Sequence, residues 1–133
     1  MKSFAVSYAG ALVAFLAIDA IWIGVVARRF YAEQLGELMR PAPWLGVAAV
    51  FYLVYAVAIV VLAVQPALRE ASASKAALLG AMLGFAAYGT YDITNLATLR
   101  GWPWQVSLID WGWGTLLTGF SAWAGYVTAK TVG

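Results

Sequence analysis

Residues 44–64 run for 21 positions without one charged side chain. A stretch like this strongly limits what the chain can fold into. About 20 apolar residues in a helix, each rising about 1.5 Å, cross the roughly 30 Å hydrocarbon core of a bilayer. There is no water in that core to bond backbone N–H and C=O groups, so a spanning segment has to satisfy them itself as a helix. Three more stretches of similar character lie at about 4–27, 75–99 and 105–128. The expectation is an all-α, polytopic membrane protein: a four-transmembrane-helix bundle forming a single domain over 1–133.

Composition agrees. The chain is 64% apolar and only 11% charged, against about 25% charge in soluble domains. With so few charges to face water, the outer surface must be covered by lipid. There is no cysteine and no histidine. That excludes thiolate chemistry, disulfides, imidazole metal sites and the commonest general base. The net charge of +2 is small and reads as membrane-side charge, with no nucleic-acid partner expected. No cofactor is expected either.

The first stretch is longer than the 7–15-residue apolar core of about that length in a signal peptide. It contains Asp19 and Trp22, so it reads as a retained helix. Pro43 and Pro66 bracket the second stretch and mark its expected ends. The second helix carries no charge and is expected to be lipid-facing support. Between the first two stretches, Tyr31, Leu35, Leu38 and Met39 recur at helical spacing. Arg29, Glu33, Glu37 and Arg40 fall on the other face. This predicts a short interfacial helix within residues 28–41. Four crossings put both termini on one side. Lys2, Arg69, Lys75 and Lys130 on that side balance Arg28, Arg29, Arg40 and Arg100 on the other, and only the free α-amino group leans the reading toward cytoplasmic termini.

Three carboxylates stand out. Asp19 and Asp92 lie inside apolar helices, and Asp110 lies just inside the fourth. Each costs about 2.5–3.5 kcal/mol at the bilayer centre, so each must face the bundle and have a partner or a task. Spacing from Arg28 and Arg100 puts Asp19 and Asp92 roughly 12–14 Å below one membrane face, and Asp110 comes from that face to a similar depth. Tyr88, Tyr91, Thr94 and Asn95 bring phenols, a hydroxyl and an amide to the same layer. Gly80-x-x-x-Gly84 allows another helix to approach closely. Asp110, Gly114, Thr118, Ser121, Gly125 and Thr128 form a small-and-polar seam along the fourth helix, within about 80° of arc. Each feature also has a plainer reading: small stripes pack helices, tyrosines and tryptophans anchor at interfaces, Asp110 pairs with Arg100, and Asp19 bonds Asn95 or Tyr91 to fix register.

At Tyr91-Asp92-Ile93-Thr94-Asn95, with Thr98-Leu99 and Trp102-Pro103 downstream, the chain resembles a bacterial family of small four-helix inner-membrane proteins known as a domain of unknown function. The likeness extends to Asp19-x-x-Trp22, Phe30-Tyr31 and Asp110-x-x-Trp113-Gly114. The resemblance implies fold and a bacterial inner-membrane location, and no activity.

Three functional readings follow from the residues. In the first, Asp19, Asp92, Asp110, Asn95, Thr94, Tyr88 and Tyr91 line a cavity that binds or transports a proton, a cation or a lipid-like molecule, with a homo-oligomer expected for transport. In the second, the polar seam docks a larger membrane protein, for which the chain is an accessory subunit or assembly factor. The third is a lipid-modifying enzyme, which the absence of nucleotide, Ser-His and phosphate motifs disfavours. A three-aspartate site for magnesium or calcium is a special case of the first.

Overall fold

The computed structural model describes residues 2–132, and it is helical almost throughout. Helix α1 (Lys2–Ile21) continues into a wider π-helical turn, Trp22–Val26. Short helix α2 (Arg28–Leu35) follows, then a single 3-10 turn over Gly36–Leu38. Helix α3 (Leu45–Ile59) passes through a second π-helical turn, Val60–Val64, into α4 (Gln65–Arg69). Helices α5 (Ala73–Thr98) and α6 (Trp104–Val132) complete the chain. Three rods are long and apolar enough to cross a membrane: Lys2–Val26, Leu45–Arg69 and Ala73–Thr98. Helix α6 has 29 residues, carries the small-and-polar seam and falls outside that set.

Pro66 does not end the second rod as its position suggests. The helix runs on to Arg69. The π-helical turn shifts the hydrogen-bond register just before the proline, so Pro66 falls in the first turn of α4. A missing N–H costs little there. The first rod ends differently. After its π-helical turn, Ala27 leaves helical geometry (φ −107°, ψ 3°) and its N–H closes on the Trp22 carbonyl at 2.7 Å. The chain bends at this point and α2 folds back across the end of the bundle.

Helix α6 is the spine, packed most extensively against α5 and next against α1. Small residues make this possible. A Cβ on Gly80 would lie 2.6 Å from the Ala122 Cβ and 2.8 Å from the Thr118 carbonyl. A Cβ on Gly84 would lie 2.8 Å from the Thr118 side chain, and one on Gly114 would fall inside the Tyr88 ring. On the opposite side, a Cβ on Gly125 would lie 2.9 Å from the Ser7 carbonyl of α1. Backbones approach this closely because lipid tails are as apolar as leucine, leaving dispersion contact to hold the helices together. The turn between α5 and α6 is pinned by a relay. Trp102 Nε1 donates to Ser107 Oγ (3.0 Å), and Ser107 Oγ donates to the Asp92 carbonyl (2.7 Å). Ser72 caps α5 by accepting from the Lys75 N–H at 3.1 Å.

The core is small: Phe15, Tyr55, Ile59, Val60, Val64 and Leu117, with alanines between them. Large apolar side chains such as Val13, Val50, Met82 and Leu116 point outward on every long rod. This inside-out distribution fits a multi-pass protein solvated by lipid.

The packing gives a direct test. Gly84→Val should lower the melting temperature in detergent, with an overpacking cost of about 1–3 kcal/mol. Gly112, whose Cβ direction is open, supplies the control. Gly112→Ala should leave the melting temperature essentially unchanged.

Candidate functional site

One end of the bundle, away from both termini, holds a cavity of about 440 Å3. The end of α1, the middle of α3, the second half of α5 and the start of α6 line it, and α2 lies across it. Asp19 and Asp110 line it, along with Tyr31, Tyr52, Tyr88 and Tyr91.

Each of the two lining aspartates is held by neutral donors. The Trp113 indole N–H donates to Asp19 Oδ1 at 3.1 Å, and the Tyr52 hydroxyl donates to Asp19 Oδ2 at 3.2 Å. The Tyr31 hydroxyl donates to Asp110 Oδ1 at 2.8 Å and accepts from the Trp22 indole N–H at 3.1 Å. The two systems meet where the Trp22 and Trp113 rings stack, with centroids 4.2 Å apart and planes 9° apart. Residues from α1, α2, α3 and α6 therefore form one polar assembly around the cavity. Burial, with Asp110 beside it, pushes the Tyr31 hydroxyl well above its ordinary range, so Tyr31 stays a protonated donor.

Asp92 is arranged differently. It is fully buried, and neither carboxyl oxygen has a hydrogen-bond partner. It lies behind the lining as an electrostatic neighbour of Asp110, although their geometry does not meet that of a hydrogen bond. Asp110 is thus an electrostatic neighbour of both Asp19 and Asp92, but only Asp19 and Asp110 reach the cavity.

Tyr88 and Tyr91 both line the cavity. Tyr88 faces Gly114 of α6, and Tyr91 meets Trp102 edge to face at 5.8 Å. Thr94 and Asn95 are not among the lining residues. The Thr94 side chain is exposed and bonds back to the Thr90 carbonyl one turn earlier, a local bond that occupies its hydroxyl. Asn95 is half-buried. Asp110 and Arg100 do not pair: among the described residues the salt bridge found is Lys75 with Glu70. Asp19 bonds Trp113 and Tyr52, not Asn95 or Tyr91.

The second helix is more than lipid-facing support. Phe51, Tyr52 and Tyr55 come from α3 into the cavity wall, and Tyr55 shares a 2.8 Å hydrogen bond with Thr118. Tyr31, Tyr52, Trp22 and Trp113 are the site residues that motif reading left unassigned. Trp22 lies three residues after Asp19 and Trp113 three after Asp110, so each indole shares a helical face with a carboxylate. That spacing is the signal that could have found them. Nothing in the local sequence pairs Tyr31 with Asp110, which is 79 residues away.

A profile of the family described as predicted membrane protein (DUF2177) matches residues 4–127. The chain belongs to this family. The match takes in all four long helices and every side chain of the site. No curated protein and no solved structure matches the chain.

The Tyr31–Asp110 contact can be measured. A double-mutant cycle of Tyr31→Phe and Asp110→Asn, read by unfolding in mixed detergent, should give a coupling of about 0.6–1.7 kcal/mol, the range of interhelical hydrogen bonds in membranes. Strictly additive effects would show that the two groups do not interact.

Proposed function

We propose that this protein binds a small, partly apolar ligand inside the membrane, in the cavity between α1, α2, α3, α5 and α6. The observation that carries the reading is the cavity itself. Its volume of about 440 Å3 lies within the about 300–1,000 Å3 of small-molecule pockets. Its walls are mostly apolar and aromatic, with a few convergent polar groups, the usual make-up of such sites. Transport is the extension of this reading in which the ligand also leaves by the other face.

The arrangement is read as four crossings of a bacterial inner membrane, with α6 as the fourth and both termini on the cytoplasmic side. Short helix α2 and the turn after it lie in the opposite interface, with Leu35 of the helix and Met39 beyond the turn lining the cavity. The length of α6 supports this, as does its antiparallel packing against α5 through the tight turn at Leu99–Pro103. Docking to a larger membrane protein gains no specific support from the geometry, because the outward apolar faces suit lipid equally well.

Two measurements test the proposal. Native mass spectrometry of the purified full chain should find a small molecule carried through purification. Ala87, which lines the cavity, offers a way to fill it: Ala87→Phe should abolish capture at an unchanged oligomeric state. Equal capture by both proteins, or none by the wild type, would refute the reading. The absence of cysteine makes topology accessible by single-cysteine labelling. Cysteines at positions 36 and 101 should react with a membrane-impermeant maleimide from one side, and a cysteine at position 71 from the other.

A further inference from the structure

We infer that the ligand of this cavity is an organic ammonium ion: a protonated amine or quaternary ammonium group on an apolar body, with its charge between Asp19 and Asp110 and its body against the aromatic walls. The inference rests on the ligand-binding reading above and names the chemical class.

The sign of the site comes first. Sixteen residues line the cavity, two of them aspartates, and none is a lysine or arginine. The donors to these carboxylates are two phenols and an indole, all neutral. An ionised carboxylate has room for about four hydrogen bonds. Asp19 receives two and Asp110 one, so acceptor capacity remains on groups that border the cavity. Behind Asp110, fully buried Asp92 has both oxygens unpartnered. Two carboxyl groups border one mostly apolar space, and no lysine or arginine lines it with them. Uncompensated carboxylates in such surroundings are costly, and a cation in the cavity relieves that cost. An anion adds to it, and a neutral hydrocarbon leaves it as it was.

The walls then decide the kind of cation. Nine of the sixteen lining residues are aromatic. Aromatic faces attract ammonium groups through the ring quadrupole, and cages of such rings recognise quaternary ammonium ligands. The same walls suit a bare metal ion poorly. Magnesium and calcium need about six or more oxygen ligands, and no three acidic side chains converge as a metal-binding group among the described residues. The space is also far larger than one ion requires. An ammonium group with an apolar body uses both features, the charge and the volume.

Two sources share this chemistry: a free hydrophobic amine and the ammonium head of a zwitterionic lipid. The test uses purified full-length protein in a neutral maltoside detergent, read by tryptophan fluorescence titration, since Trp22 and Trp102 line the site. The probes are benzyltrimethylammonium and its uncharged isostere neopentylbenzene, with dodecylphosphocholine as the headgroup arm. Benzyltrimethylammonium should bind at least about tenfold more tightly than neopentylbenzene. Asp110→Asn and Asp19→Asn should each reduce that preference while leaving neopentylbenzene affinity in place. The ratio is taken within each protein, so partial loss of stability does not imitate the result. If a variant fails to fold, the wild-type ratio decides. Saturable binding of dodecylphosphocholine at least as tight as that of the free ammonium assigns the lipid head as source, and weaker binding assigns a free amine. Equal affinity for the charged and uncharged probes overturns the ammonium inference but leaves ligand binding standing. Binding of neither probe also overturns it, and the capture experiment then decides separately whether the cavity holds any ligand.

Discussion

Everything at the site depends on how closely α6 approaches α5 and α1. Gly80 and Gly84 let α5 lie directly on Thr118 and Ala122, and Gly125 lets α6 lie on the Ser7 turn of α1. Helix association in lipid gains little from the hydrophobic effect, so close van der Waals contact has to supply it. With α6 held as a central spine, its first turns are drawn beneath the end of α1. Trp113 then reaches Asp19, and Asp110 reaches Tyr31. A wider helix spacing would separate both pairs. The small residues that look least chemical therefore set the positions of the most polar ones.

Two local departures from α-helical geometry complete the arrangement. The π-helical turn Trp22–Val26 directs the chain out of α1 at Ala27, and α2 returns across the bundle end carrying Tyr31. The π-helical turn Val60–Val64 allows the second rod to continue through Pro66, which lengthens it to Arg69. Such turns frequently occur at functional sites. The first of them begins at Trp22, which is both a wall of the cavity and a donor to Tyr31.

Much of this was legible in the sequence. Long apolar runs locate the four helices to within a few residues, because lipid leaves the backbone little alternative. The exception is the end of the second rod, where proline punctuation misleads because the register shift at Val60–Val64 leaves no mark in composition. Depth arithmetic puts Asp19, Asp92 and Asp110 in one layer, and in the structure Asp110 is an electrostatic neighbour of both of the others. Helical spacing cannot say which of them faces a cavity, since that depends on the rotation of three separate rods. For the same reason it does not separate Tyr88 and Tyr91, which line the space, from Thr94 and Asn95, which do not. The charge-free second helix conceals its contribution entirely. Tyr52 and Tyr55 are two phenols in a charge-free run, and only the assembled fold shows that Tyr52 bonds Asp19.

The bonding of Asp19 also has a consequence for the order of synthesis. Its two donors lie 33 and 94 residues further along the chain. When the first rod leaves the ribosome, neither Tyr52 nor Trp113 has emerged to meet it. The leading helix therefore enters the bilayer with its carboxylate unsatisfied, carried by the apolar residues around it. One donor arrives with the second rod and the last with the first turns of α6. Until α6 joins the bundle, Asp19 therefore lacks one of the two donors that it has in the assembled fold.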